Sequence, residues 1–480
     1  MYKKILYFIL GLLLIADLSY SYYQYSFTPI DGDLPEIFLG SRGFYRVLND
    51  PLGIDALTGD VYPATNRFTA HFITVEYFYA VPMFLRNFMS PMDALYMSMT
   101  LMKIFCHIGL IFLISWYVSG LRKFSREAML LTACIVSPFF LAGDIYTDYL
   151  RIIDLTITYT VYYALPLVSL LVFFMPFYRY YTTGKFISAR WKYLLFILYS
   201  LALVFFGPLT SPIFIIGLGL IIGIPVILNF FQSSGELGRK VTKAFSSLPK
   251  GMYLVAFATV IFSFYSLYIG RNNAENLWES KPLAERFDLM KQGLYECFIL
   301  IDSGIVQILL AISVNILLVY VLYGKQLNKY YLLVAGLIVF SVIYLTLLPF
   351  GGYRFYRPLI VRRDTILPVT IILLFLLSTS SILLLYKFKN WKLGIYCALV
   401  IGLLHHYSSV DNVLTENTYE KQNIRKIASS REKCVPLDNV SPVAMWIPAK
   451  NCSESQIAGW FLYELYITNT KKTFYHTPMK

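Results

Sequence analysis

Long apolar stretches alternate with short polar ones along most of the chain. The apolar runs lie near 5–24, 97–119, 127–143, 156–178, 193–208, 212–231, 251–270, 303–323, 330–349, 366–386 and 393–407. Each approaches the roughly 20 residues that a helix needs to cross a hydrocarbon core. The pattern therefore predicts an all-α integral membrane protein with about eleven transmembrane helices. These make a polytopic domain over 1–407, followed by a small polar tail over 408–480. Besides the tail, two connecting segments are long, 25–96 and 271–302, and a shorter one at 350–365 is rich in arginine. The first of them has turn signals at NDPLG and TGD. An aromatic run from Arg67 to Phe88 follows, with Phe68, Phe72, Val75, Phe78 and Tyr79 on one helical face. Such a run predicts a helix lying in the membrane interface, part of a structured platform over the bilayer.

Composition agrees with the pattern. The chain is 57% hydrophobic and 14% charged, where soluble domains average about 45–50% and about 25%, so a soluble fold is excluded. A net charge of +13 would point to nucleic acid in a soluble protein. Here the Lys and Arg residues gather in alternate short loops, as the positive-inside rule describes, and no nucleic-acid partner is expected. Lys3 and Lys4 precede the first span, no A-x-A cleavage site follows it, and Tyr20, Tyr22, Tyr23 and Tyr25 read as an interfacial belt. The first span is thus expected to be a retained anchor, with the N-terminus cytoplasmic and the C-terminus outside. The cytoplasmic loops have no room for a nucleotide-binding domain, so any chemistry belongs outside or within the membrane.

Two clusters can carry that chemistry. The stretch TPIDGDLPE follows the first span and brings Asp31, Asp33 and Glu36 together, with Gly32 for a tight backbone and Pro29 and Pro35 stiffening both sides. Such carboxylates can act as a general base or ligate a divalent cation, Mg or Mn, through hard oxygens. Asp148 in DIYTDYLRIID, which also holds Asp144, Arg151 and Asp154, would supply a further ligand. A solvated loop is the plainer alternative, and the spacing stops short of a calcium loop. The second cluster is Arg354, Arg357, Arg362 and Arg363 in LPFGGYRFYRPLIVRRDTILP. It breaches the positive-inside trend, and guanidinium forks suit a lipid phosphate. Pairing with phospholipid headgroups or with Asp364 is the alternative.

Other residues are secondary. Arg67 and His71 of NRFTAH are candidate substrate contacts, although a lone histidine on an aromatic helix is more often structural. Asp17, Lys103 and His107 lie in spans. Cys434 and Cys452 are expected to pair as a disulfide in the tail, while Cys106, Cys134 and Cys397 read as small core residues. No Cys or His spacing resembles a zinc site.

An acidic motif just past an N-in first span, a long first outer loop with interfacial helices and arginines near a later outer loop together resemble the GT-C superfamily of membrane glycosyltransferases. The resemblance implies a sugar donor on polyprenyl phosphate or diphosphate, membrane lipids as surroundings, and transfer with inversion to an acceptor, unspecified here, outside the cytoplasm. It maps the catalytic acid onto Asp31 or Asp33. The family often has Asp followed directly by Glu, whereas this chain has DGD. The combination PIDGDLPE, NDPLG, NRFTAH and GGYRFYRP also resembles a group of bacterial inner-membrane proteins, a likeness that carries location but no activity. Rival functions are a transporter or flippase of a lipid-linked glycan, and a non-catalytic envelope assembly subunit. Transporters favour sites at the bilayer midplane on broken helices, and here the ionisable residues lie at the rim.

Overall fold

The computed structural model describes residues 2–121, 125–140, 142–143, 149–276, 280–300, 304–354, 356–387 and 414–477. The protein is predominantly helical. Among the described residues, six helical segments are long and apolar enough to cross a membrane. In the numbering used below, the long helices are α1 (Tyr2–Ser26), α2 (Pro91–Gly120), α3 (Ile157–Thr183), α4 (Thr210–Gln232), α5 (Lys250–Gly270), α6 (Ile305–Tyr323), α7 (Asn328–Leu347) and α8 (Arg363–Lys387). A single turn at Gly324–Leu327 separates α6 from α7, where Gly324 takes a positive φ of 50° that favours glycine.

Helix α8 is the centre of the bundle. Its apolar window is 94% buried, against 22% for α4. A helix apolar all round belongs in the middle of a bundle, and α8 packs on α2, α6 and α7. Asn315 of α6 reaches Ser380 and Ser381 of α8 through its amide at 3.3 and 3.1 Å, the kind of polar bridge that joins helices in lipid.

Two expected spans are shorter than anticipated. The run at 127–143 is a helix over Arg126–Val136 that tightens to a 3₁₀ turn at Ser137–Phe140. The run at 193–208 ends as a helix at Val204, ahead of Gly207 and Pro208, which cannot continue it. The run at 393–407 lies outside the described residues. The all-α expectation is also amended by two small parallel ladders, Ala142–Gly143 with Ile153–Asp154 and, in the tail, Cys434–Leu437 with Thr473–His476.

The long connecting segments pack together at one end of the bundle. Ala64 donates its N–H to Asn273 Oδ1 at 3.1 Å, Asn272 donates to the Ala56 carbonyl at 2.6 Å, and Arg286 donates to the Gly351 carbonyl at 2.8 Å. The aromatic run forms a helix over Phe68–Leu85, and the aromatic set Phe68, Phe72, Val75, Phe78 and Tyr79 is divided between the inside and the outside. His71, Thr74, Phe78 and Pro82 are buried, while Phe72 and Tyr79 are exposed. Spacings of three and four put the first set on a single stripe, and the bulky apolar rings opposite are left to the surroundings.

The tail folds on the same end. Its helix over Leu414–Ser429 lays Asn417 against the Thr28 carbonyl at 3.3 Å and Glu420 against the Ile30 N–H at 3.0 Å. Cys434 and Cys452 are joined as a disulfide, with Cα atoms 5.9 Å apart.

Candidate functional site

Asp31 leaves the end of α1 and is almost fully buried. Its Oδ1 accepts the N–H groups of Asp33 and Leu34 at 3.1 and 3.0 Å, which opens the short helix Asp33–Phe38. The same oxygen accepts the Thr158 hydroxyl at 2.9 Å, and Oδ2 accepts the Thr158 N–H at 3.0 Å. Burial first, and the Asp33 charge second, push the Asp31 carboxyl up to about 6 against the pull of these bonds. Three donors meet Oδ1 and one meets Oδ2, so Asp31 is committed to holding its own loop. It fixes the loop to the start of α3.

Asp33 is different. It is half-buried, and its Oδ1 accepts the indole N–H of Trp446 at 2.9 Å. Its Oδ2 has no partner among the described residues. Glu36, the third carboxylate, is held by Arg42 at 3.1 Å and by Ser41. Gly32 is needed for close approach: a Cβ there would stand 2.6 Å from the Trp446 backbone nitrogen, well inside van der Waals contact.

These observations bear on a metal at this loop. Among the described residues no three His, Cys, Asp or Glu side chains gather as a cation site, and Asp148 lies outside them. Asp31 is tied to Thr158 and Glu36 to Arg42, so the described residues gather no ligand set for a divalent cation here.

The four arginines are divided by their partners. Arg363, buried at the start of α8, pairs with Asp154 at 3.0 Å and donates to the Arg151 carbonyl at 2.8 Å. Arg362 pairs with Asp364 at 2.7 Å, and Arg354 pairs with Glu275. Arg357 shares Asp364 at 3.2 Å and donates to the Tyr163 hydroxyl at 3.0 Å, yet its Nε is buried with no partner. Arg67 also has a buried, unpartnered Nε, and its guanidinium lies 5.2 Å from the centre of the Tyr162 ring. Desolvation first, then the nearby Arg67 charge, push the Arg354 guanidinium below its ordinary value. Arg67 thus lies beside Tyr162 and Arg357 beside Tyr163, with the charges of Arg354 and Arg357 offset by Glu275 and Asp364. A cleft of about 20 Å³ lined by Arg67, Tyr162, Tyr163, Gly207 and Thr210 opens there, room for about one water.

The start of α3 holds both clusters. Thr158 binds Asp31, the Tyr159 ring lies 4.8 Å from the Arg357 guanidinium, and Tyr163 receives the Arg357 N–H. Residues Thr160–Ala164 form a π turn within α3, an irregularity frequent at functional sites. The Trp446 ring in turn stacks on Tyr159, with centroids 6.0 Å apart and planes at 27°. Asp33, Trp446, Tyr159 and Arg357 thus run in one line of contacts from the acidic loop to the arginine loop.

No family model, curated protein or solved structure matches this chain. A role for the chain has to be argued from the site itself.

His71 faces inward and its Nε2 meets the Tyr162 hydroxyl at 3.0 Å, which supports Tyr162 and keeps the ring in the core. Lys103 is fully buried in α2 and donates to Thr28 Oγ1 at 2.7 Å and to the Leu155 carbonyl at 2.5 Å, so it too braces the exit from α1. Sequence reasoning missed Thr158, Tyr159, Tyr163 and Trp446. The first three had a signal in the Thr- and Tyr-rich start of an otherwise apolar run, ITYTVYY. Trp446, in the tail, had none.

Proposed function

We propose that this chain is a membrane glycosyltransferase of the GT-C kind, moving a sugar from a polyprenyl-phosphate or diphosphate donor to an acceptor outside the cytoplasm. In this reading the chain crosses a bacterial inner membrane about eleven times, with the N-terminus cytoplasmic and the platform and tail periplasmic. Asp33 is the base. Its open Oδ2 takes the proton of an acceptor hydroxyl as that oxygen bonds to the anomeric carbon. The bond from that carbon to the lipid phosphate oxygen breaks on the opposite side, leaving its electron pair on the phosphate and inverting the centre. Arg357 and Arg67 hold the departing charge with donors already in position. Asp31 does not react; it anchors the loop to Thr158 so that Asp33 stays in place.

The single observation that carries this reading is the seating of both loops on the start of α3, with Thr158 on Asp31 and Tyr163 on Arg357 at 2.9 and 3.0 Å. A base and a phosphate cradle must serve one substrate whose reacting atoms approach to roughly 3–3.5 Å. The test is donor turnover in proteoliposomes, using polyprenyl-phosphate hexoses with envelope extract as the acceptor source. Release of free polyprenyl phosphate together with labelled acceptor is the expected result. Passage of an intact donor across the bilayer without cleavage would contradict it and mark a flippase, and binding of no donor at all would contradict both.

A further inference from the structure

Trp446 has half its surface open, although it sits where two elements far apart in the chain meet. One helix turn of the tail fixes it there. Glu420, fully buried, accepts the Ile30 N–H at 3.0 Å, the Tyr96 hydroxyl at 2.7 Å and the Ala444 N–H at 3.2 Å. Ala444 adopts a left-handed φ of 50°, a conformation uncommon for a residue with a Cβ and held only where surroundings impose it. It turns the chain two residues before Trp446. The disulfide between Cys434 and Cys452 encloses the same segment, and Gly32 leaves room for the indole against the acidic loop. Several independent constraints therefore hold an open aromatic ring beside Asp33.

We propose that Trp446, stacked on Tyr159, is the floor on which a pyranose ring of the substrate lies, so that the tail completes the site. This rests on the donor reading above and names the part of the donor that the tail recognises. A pyranose is apolar on its C–H faces and polar at its edge. Trp446, half open and backed by the buried Tyr159 ring, offers an extended apolar face of the sort that binds by shape and area. Asp33 Oδ2, without a partner, stands beside that floor and is kept for the acceptor hydroxyl that attacks the ring. Arg357, 4.8 Å from the Tyr159 ring centre, brings the phosphate end of the same ligand to the far side of the ring pair. An aromatic floor beside the base, with a cation at its far end, matches a sugar phosphate along its length.

The experiment is equilibrium binding to the full-length protein in detergent, using a ten-carbon prenyl phosphate bearing a hexose and the same prenyl phosphate without sugar. Wild type is expected to bind the sugar-bearing probe about tenfold more tightly, the advantage expected of one good aromatic contact. Trp446→Leu should remove that advantage and leave the sugar-free probe bound as in wild type. Trp446→Phe, which keeps a ring and loses the N–H to Asp33, should retain most of it. Arg357→Ala should weaken both probes. A sugar advantage that survives Trp446→Leu, or one lost equally in Trp446→Phe, would overturn the proposal while leaving the phosphate reading standing. So would equal binding of the two probes by wild type. Failure of wild type to bind either probe would overturn both.

Discussion

The acidic loop after α1 and the arginine loop before α8 carry opposite charge, and the fold engages most of each set internally but by different means, hydrogen bonds to Thr158 in the one and ion pairs in the other. In the arginine loop the charges are mostly turned inward. Arg363, Arg362 and Arg354 each have an acidic partner, Asp154, Asp364 and Glu275, and Arg357 keeps an unpartnered Nε. In the acidic loop, Asp31 and Glu36 are consumed by Thr158 and Arg42, and Asp33 keeps an open oxygen. Ionic groups of the two loops are thus largely structural. What is left open is an oxygen of Asp33 and the Nε of Arg357, which otherwise pairs with Asp364, and both residues lie against Tyr159 or its stacking partner.

That contrast can be broken most forcefully at Arg363. Removing one member of a buried ion pair leaves the other charge uncompensated, and Arg363→Ala should cost about 3–5 kcal/mol. Arg357→Ala leaves Asp364 still paired with Arg362 and should cost about 1 kcal/mol, while donor binding falls. Thermal unfolding of the two variants in one detergent measures the difference. Equal losses of stability would erase the distinction between the structural and the available arginines.

A smaller effect is expected at Gly32. The Cβ of Gly32→Ala would meet the Trp446 backbone and ring, an overpacking worth about 1–3 kcal/mol. The tail should loosen, so proteolysis between 430 and 455 should speed up while the helical bundle resists. Unchanged cleavage would mean that the tail does not lean on the acidic loop.

The smallest effect concerns pH. Asp31 takes up a proton more readily in the folded protein, with its carboxyl raised from 3.8 to about 6, and buried Glu420 behaves likewise, raised from 4.5 to about 7. Desolvation is the chief cause for both. Between these ordinary and raised values the folded state binds more protons than the unfolded one, so stability falls as pH rises. The melting temperature should decline from about pH 4 to about pH 7 and then level off. Asp31→Asn should flatten the lower part of that decline. A melting temperature that rises across this window would contradict the burial of both carboxyls.

Much of this arrangement was legible in the sequence. The apolar runs located the long helices, the position of TPIDGDLPE fixed Asp31 and Asp33 at a helix exit, and LPFGGYRFYRP marked the arginines. Their pairing was not legible, because Glu275 and Asp154 come from segments that only the fold brings to Arg354 and Arg363. Nor was the contact of Trp446 with Asp33, which joins residues 413 positions apart. Asp31 and Asp33 were equivalent as letters. Their separation into an anchor and a carboxylate with an open oxygen comes from Thr158, whose backbone N–H and hydroxyl at the start of α3 meet Asp31. The inward stripe of the Phe68–Leu85 helix was not legible because aromatic residues occupy both of its faces, so hydrophobicity alone does not say which is inside.

The most direct test of the account is Asp33→Asn, measured for donor binding and for sugar transfer in the same proteoliposome preparation, with Asp31→Asn beside it. Loss of the base should lower transfer by at least about 100-fold, within the range of general base catalysis, while the donor stays bound as in wild type. Asp31→Asn should lower transfer and stability together, because it acts by holding the loop. Wild-type transfer by Asp33→Asn would contradict the account, whatever the behaviour of Asp31→Asn, since the account gives the proton transfer to Asp33 alone.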